Sequence, residues 1–237
     1  MKAVVLTPAT TRLDTLFEVI RQPDNHITLS RQAQSQVDRS AAIVERVALE
    51  DHAVYGINTG FGKLASVRIA SEDTATLQRN LILSHCAGVG APASESIVRM
   101  MMVLKLLSLG RGASGVRWLL IEQIERLLNA GITPVVPMQG SVGASGDLAP
   151  LAHFAAALMG EGEAVFQQQR QPSIDALKKA GITPITLCAK EGLALINGTQ
   201  FSTAAALVSL AETWKLACNG IITSACLLYT SPSPRDS

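Results

Sequence analysis

Apolar residues recur at three- and four-residue spacing along most of this 237-residue chain. That spacing gathers them on one face of a helix, and a chain built of such faces must pack helix against helix. Ala33, Val37, Ala41, Val44 and Ala48 make one stripe, predicted to start behind Ser30 as N-cap and to end near Glu50. Leu120, Ile124, Leu127 and Leu128 make another, with Ser114 as predicted cap and Gly131 placed to stop it. Leu13 to Ile20 is a shorter version, as are Leu77, Leu81 and Ile82 behind a predicted Ser71 cap. From Ala93 to Leu109 the pattern is apolar nearly all round. It predicts a helix buried on most sides, with Met100, Met101 and Met102 as core filler. Such a core is aliphatic, since 48% of residues are hydrophobic but only 4% aromatic. Trp118 and Trp214 are expected as core or interface anchors.

The segment Ala130-Gly-Ile-Thr-Pro134 recurs as Ala180-Gly-Ile-Thr-Pro184, each time after a helical pattern. Glycine followed by a proline that cannot continue the helix reads as a repeated stop device. Ala3 to Leu6 is predicted extended, and Glu163 to Phe166 turns through Gln167-Gln-Gln-Arg170 into a small hairpin. The fold class is therefore mainly α with a few short strands.

Lys plus Arg number 20 against Asp plus Glu 19, with no block of like charge, so no basic stripe invites nucleic acid. Cys86, Cys188, Cys218 and Cys226 lack metal or CxxC spacing and are predicted as small buried hydrophobes in a reducing compartment. His26, His52 and His153 have no second ligand at metal spacing, so no metal is expected. The N-terminal apolar run is too short for a signal peptide. Phe201 to Leu228 is interrupted by Glu212, Lys215 and Asn219, poor for a membrane span but natural for a buried bundle helix. The expectation is a cytoplasmic protein without membrane or nucleic-acid partners.

The stretch Gly140-Ser-Val-Gly143-Ala144-Ser145-Gly146-Asp147-Leu-Ala-Pro150 carries the chemistry. Ser145 as a hydrolase nucleophile would want Gly-x-Ser-x-Gly at a strand-to-helix elbow, whereas here the pattern is Gly-Ala-Ser-Gly among helices. A phosphate cradle would want Gly-Lys-Ser/Thr, and Asp147 would oppose an anion. The third reading is ring closure. Attack of the Gly146 amide nitrogen on the Ala144 carbonyl carbon, with loss of two waters, leaves a 4-methylidene-imidazol-5-one (MIO), an electrophile no ordinary side chain supplies. The reaction needs glycine at the attacking position, a serine hydroxyl to eliminate and a compressed loop held by a rigid scaffold. A second triplet, Ala113-Ser114-Gly115, lacks the flanking glycines and the aspartate and is predicted as a helix cap.

Four separated segments resemble the aromatic amino acid lyases. They are Tyr55-Gly-Ile-Asn-Thr-Gly-Phe-Gly62; Leu77-Gln-Arg-Asn-Leu81 leading to Ser84-His85-Cys-Ala-Gly88; Gly140 to His153; and Glu191-Gly-Leu-Ala-Leu-Ile-Asn-Gly-Thr-Gln200. The resemblance runs from about Leu13 to Ala225. It implies a helical lyase fold, an MIO formed autocatalytically from Ala144, Ser145 and Gly146 without external cofactor, and a homotetramer. The implied activity is non-oxidative elimination of ammonia.

By the same resemblance Tyr55 is the base acting on the β-carbon, which requires a positive field to lower its pKa from about 10. Ser84 and His85 read the substrate ring. A polar pair suits an imidazole, which implies L-histidine going to trans-urocanate. A phenyl or phenol ring would implicate a tyrosine or phenylalanine lyase or an aminomutase. Asn197 helps hold the ring or the substrate, although Asn-Gly is also a turn signal. Asp147 and Gly143 support ring formation, with Asp147 also predicted as a helix N-cap. A helical scaffold whose loop never cyclises is the non-enzymatic alternative.

Tyr229-Thr-Ser-Pro-Ser-Pro-Arg-Asp-Ser237 cannot extend a helix. Residues 1–225 are accordingly predicted as the N-terminal, MIO-bearing part of a longer lyase, and 226–237 as a non-native, disordered tail. The family's later half supplies a carboxylate-binding arginine, a second tyrosine and an acidic residue near the imidazole. The chain as given is therefore predicted to fold poorly alone or to lack activity.

Overall fold

Helices dominate the computed structural model, which describes residues 2–62 and 67–231. The first half runs β1 (Ala3–Leu6), α1 (Leu13–Arg21), β2 (His26–Leu29), α2 (Gln34–Leu49), α3 (Thr74–His85), β3 (Val89–Pro92), α4 (Glu95–Leu109) and α5 (Trp118–Ala130). The second runs β4 (Thr133–Pro134), β5 (Pro137–Gln139), α6 (Leu148–Leu158), β6 (Glu163–Phe166), β7 (Gln169–Pro172), α7 (Ser173–Lys179), α8 (Glu191–Ile196) and α9 (Gln200–Thr230).

The core gathers around α4. Met100, Met101, Val103 and Leu106 are fully buried, as the all-round apolar pattern predicts, each worth about 1.5–3 kcal/mol relative to exposure. Ser94 starts this helix by accepting from the Ile97 N–H at 3.4 Å. The start of α9 lies along α4, while α3, α6 and α8 pack against one another beside them. The strands are edge fittings. β1 and β2 pair in parallel through α1, β3 pairs with β5 antiparallel, and β4, β6 and β7 form a three-stranded antiparallel sheet that contains the expected hairpin.

The repeated stop device works twice. Gly131 and Gly181 both take left-handed φ, +71° and +69°. The next amides fold back, Ile132 N–H to Leu127 O at 3.0 Å and Ile182 N–H to Leu177 O at 2.9 Å.

Two predicted caps are corrected. Ser30 precedes a 3-10 turn, Arg31–Ala33, and its side chain makes no cap bond. α5 starts at Trp118 behind Arg117, so Ser114 lies upstream and caps nothing. The side chain of Ser71 lies outside the described residues, as do residues 232–237 of the predicted tail. The cysteines are corrected too: Cys86 is half-buried, and Cys188, Cys218 and Cys226 are exposed, all as free thiols. Trp118 is buried, with the Arg31 guanidinium 5.2 Å from its ring centroid, whereas Trp214 is 68% exposed.

α9 accounts for three of these exposed residues. Phe201, Ala204 and Val208 are buried, but every position beyond Val208 is solvent-exposed or only partly covered, including Leu210, Leu216, Ile221 and Leu228. It is thus a core helix for its first third only, and it continues unbroken through Cys226 to Thr230. By length and composition alone the Glu191–Thr230 stretch is apolar enough to cross a membrane, despite its interrupting polar residues.

Candidate active site

All four motif segments meet on α8, a helix of six residues. Gly56, beside Tyr55, presses on it so closely that a β-carbon there would lie 2.7 Å from Leu193 Cδ2. Gln78 of α3, fully buried, accepts the Gly192 N–H through Oε1 at 2.8 Å. Asp147, just before α6, donates its N–H to Gly198 O at 3.3 Å, one residue past Asn197. At the other end of α8, Glu191 is buried and receives Arg117 through Nε at 2.9 Å and a terminal nitrogen at 2.7 Å.

The 140–147 loop is shaped by Asp147. Its carboxylate is fully buried and occupied on both oxygens, accepting the Ser141 hydroxyl at 2.5 Å and the Val142 N–H at 2.9 Å. Asp147 occupies the N-cap position of α6 but makes no side-chain cap bond, because its carboxylate reaches backward into the loop. That corrects the capping expectation and gives the residue a loop-closing job instead. Gly143 adds an N–H to Ser141 Oγ at 3.3 Å and is exposed, with open space around it.

Within this bracket Ala144 and Ser145 are exposed and Gly146 is half-buried at φ +79°. That left-handed conformation is strained for any residue with a β-carbon. A β-carbon on Gly146 would lie 3.7 Å from Asn197 Oδ1, so the exposed amide of Asn197 borders the triplet. The triplet thus combines a glycine without a β-carbon, an accessible serine and a loop anchored by a buried carboxylate.

Tyr55 is 60% exposed, its ring edge-on to Phe61 at 5.9 Å. Its loop is fixed by Asn58, buried, which accepts the Val54 N–H at 2.7 Å and donates to His52 O at 3.0 Å. At the end of α3, Ser84 Oγ donates to Leu81 O at 3.0 Å, and His85 Nδ1 lies 2.7 Å from the same carbonyl. A carbonyl can only accept, so Nδ1 carries a hydrogen and Nε2 is the ring nitrogen not engaged by this bond. The segment after His85 reaches the 140–147 loop and α6 through Gly88. Its N–H donates to His153 Nε2 at 3.2 Å, and Gly140 approaches so closely that a β-carbon would sit 3.1 Å from Gly88 Cα. Burial lowers the pKa of His153, favouring the neutral form that accepts this bond.

Sequence reasoning read Ser141, Gly198 and Gln78 only as motif members, without these roles, and missed Lys105. Lys105, on α4, is fully buried and donates to Ala194 O and Asn197 O, both at 3.2 Å. Its signal was available as a lone charge within an otherwise apolar run. Ser141 carried none, since a serine in a glycine-rich loop is ordinary. Among the described residues, no three His, Cys, Asp or Glu side chains converge as a metal site.

Comparison with known proteins places the chain in a family. The family model for aromatic amino acid lyase matches residues 11–232. The chain is 59% identical over 222 residues to histidine ammonia-lyase from Roseobacter denitrificans, which covers 94% of this chain and 43% of that protein. Its fold matches histidine ammonia-lyase from Trypanosoma cruzi with a TM-score of 0.83 at 35% identity, over 92% of this chain and 41% of that one. It also matches phenylalanine aminomutase from Pantoea agglomerans, with a TM-score of 0.82 at 30% identity, over 90% and 41%. The chain belongs to the aromatic amino acid lyase family, and it spans less than half the length of these relatives.

Proposed function

We propose that this chain is the part of an ammonia-lyase, a carbon–nitrogen lyase, that bears its electrophile, and that the enzyme eliminates ammonia from L-histidine to give trans-urocanate. The observation carrying this reading is the Ala144-Ser145-Gly146 turn, exposed at the start of α6, bracketed by buried Asp147 and bordered by Asn197. The 59% identity to a histidine ammonia-lyase supports the substrate. The MIO that this triplet can form would supply the electrophile that turns the amino nitrogen into a leaving group, with no external cofactor.

The chain's own residues then orient the substrate and move its proton. Tyr55 Oη takes the β-hydrogen as base, from a loop whose position Asn58 holds. His85 Nε2 accepts an N–H from the substrate imidazole, and Ser84 adds a hydroxyl beside it. Asn197 holds the substrate or the ring through its side-chain amide. Holding these groups together is the largest service the scaffold gives.

Tyr55, Ala144, Ser145 and Asn197 are all exposed, and the outer two-thirds of α9 carries uncovered apolar side chains. We read the site as completed by further protein surface, in a homotetramer of chains in which residues 1–225 form the N-terminal part. The isolated chain is then expected to turn over slowly or not at all.

The test has two readouts. Mass spectrometry of the 140–150 peptide should show a deficit of two waters, and a peptide of full mass in every preparation would sink the reading. Assembled enzyme given histidine, phenylalanine or tyrosine should develop urocanate absorbance rather than that of cinnamate or coumarate. The structural match to an aminomutase keeps a second reading in view, an enzyme for phenyl or phenol substrates. Cinnamate or coumarate as the dominant product would establish it.

A further inference from the structure

The inner turns of α4, from Met100 to Leu107, are apolar except at Lys105, and that side chain is fully buried. Burying an amine is unfavourable, and a methionine, used three times on the same helix, would fill the space without that penalty. No ion pair involving Lys105 is found among the described residues. Its partners are two backbone carbonyls, Ala194 O and Asn197 O, at the C-terminal end of α8. A helix end leaves such carbonyls without intrahelical donors.

The same short segment meets the loop: Asn197 Oδ1 borders Gly146, and Gly198 O accepts the N–H of Asp147. The 194–198 backbone thus carries both the contacts of the buried amine and those of the loop's end. Burial lowers the Lys105 pKa to about 7. A neutral amine still offers two N–H groups, enough for both carbonyls, so the grip survives in either protonation state.

We propose that Lys105 is a positioning residue for the reactive loop: by holding Ala194 O and Asn197 O from beneath, it fixes Asn197 and Gly198 against Gly146 and Asp147 and keeps the triplet in its ring-closing shape. This rests on the function proposed above. The step it serves is balanced within the chain. The Gly146 nitrogen bonds to the Ala144 carbonyl carbon, and the Ala144 oxygen leaves as water with the amide hydrogens of Ser145 and Gly146. The Ser145 hydroxyl leaves as a second water with the Ser145 α-hydrogen.

The experiment compares the full 237-residue chain with Lys105→Met, Lys105→Gln and a control, Met101→Ala, which loosens the same helix but leaves the Lys105 amine in place. Each is expressed, checked for native circular dichroism and melting temperature, and sampled over time for the two-water deficit in the 140–150 peptide. In Lys105→Met, cyclisation should slow on the order of a hundredfold, as expected when a reacting group is displaced by about 1 Å. Lys105→Gln, which keeps N–H donors, should recover part of the rate, while Met101→Ala should melt earlier yet cyclise normally. Folded Lys105→Met that cyclises at the wild-type rate would overturn the proposal. If that variant does not fold, Lys105→Gln cyclising no more slowly than Met101→Ala would overturn it equally. No deficit in the unmodified chain would instead remove the MIO reading itself, a result that the variants cannot mimic.

Discussion

The chain contains the same tripeptide twice, and the two copies sit in opposite surroundings. In both, the glycine is left-handed, φ +68° at Gly115 and +79° at Gly146. At Gly115 the N–H is committed to Ser40 Oγ at 3.2 Å, and a β-carbon would fall 2.3 Å from Val44 Cγ2, so the triplet is clamped against α2. Lys190 Nζ further donates to Ser114 O at 2.7 Å. Around Gly146, Ala144 and Ser145 are open to solvent, and the constraint comes from the Asp147 bracket. On the proposed reading, a tripeptide able to cyclise on paper does so at 144–146 and not at 113–115, where the glycine amide is committed to Ser40 and the backbone is packed against α2. α8 ties the two places together. Lys190 and Glu191 bind the region of the first triplet, and Asn197 and Gly198 border the second.

The comparison breaks most sharply with Ser145→Ala, which removes the hydroxyl that must leave. The two-water deficit should vanish completely, while Ser114→Ala should leave it intact in the same mass spectrum. Next in size is Glu191→Ala, which strands Arg117 at the junction between the triplets. Removing one partner of a buried pair costs about 3–5 kcal/mol; Arg117 is partly exposed, so we expect the lower end of that range in denaturant unfolding. Ser40→Ala should cost about 1–2 kcal/mol by leaving the Gly115 N–H unpaired, without producing any mass deficit at 113–115.

A further effect is a slope against pH. Lys105 is lowered to about 7 in the folded chain, so between that value and the ordinary lysine range the unfolded state binds more protons. Its contribution therefore makes stability rise with pH from about 7 towards 10.5, the ordinary value. The Cys86 thiol, pushed up to about 11 by burial and Glu161, acts oppositely between about 9 and 11. Subtracting the unfolding curve of Lys105→Met from that of the wild type cancels the cysteine term and should leave the rise. A flat difference would mean that Lys105 titrates normally.

Local signals were legible where one residue type decides the backbone. Gly131 and Gly181 stop their helices as read, β1 spans the predicted residues, and the apolar run in α4 is buried as its pattern requires. Caps were less so, because a serine or aspartate before a helix fixes only the opportunity. Ser30 makes no cap bond, Asp147 turns its carboxylate into the loop, and Ser114 lies upstream of the start of α5. Pairing between distant segments was not legible at all. Nothing local says that β1 and β2 align in parallel or that Gln78 reaches Gly192, since both depend on how whole helices dock. In the candidate site, Tyr55, Ser84, His85, Asn197 and the triplet were readable as motif members. Ser141 was read within its motif but without a role, since its bond to Asp147 depends on how the loop curls, and the partners of Lys105 lie across the fold.

The brevity of α8 has a consequence for when this protein becomes reactive. Six residues cannot hold a helix by themselves, so Asn197 finds its place only after α3, α4 and α6 have docked around them. On the proposed reading, a nascent or misfolded chain stays chemically ordinary, and the electrophile arises only in molecules whose interior is finished. The modification would then act as a built-in certificate of correct folding, written by the fold on its own backbone.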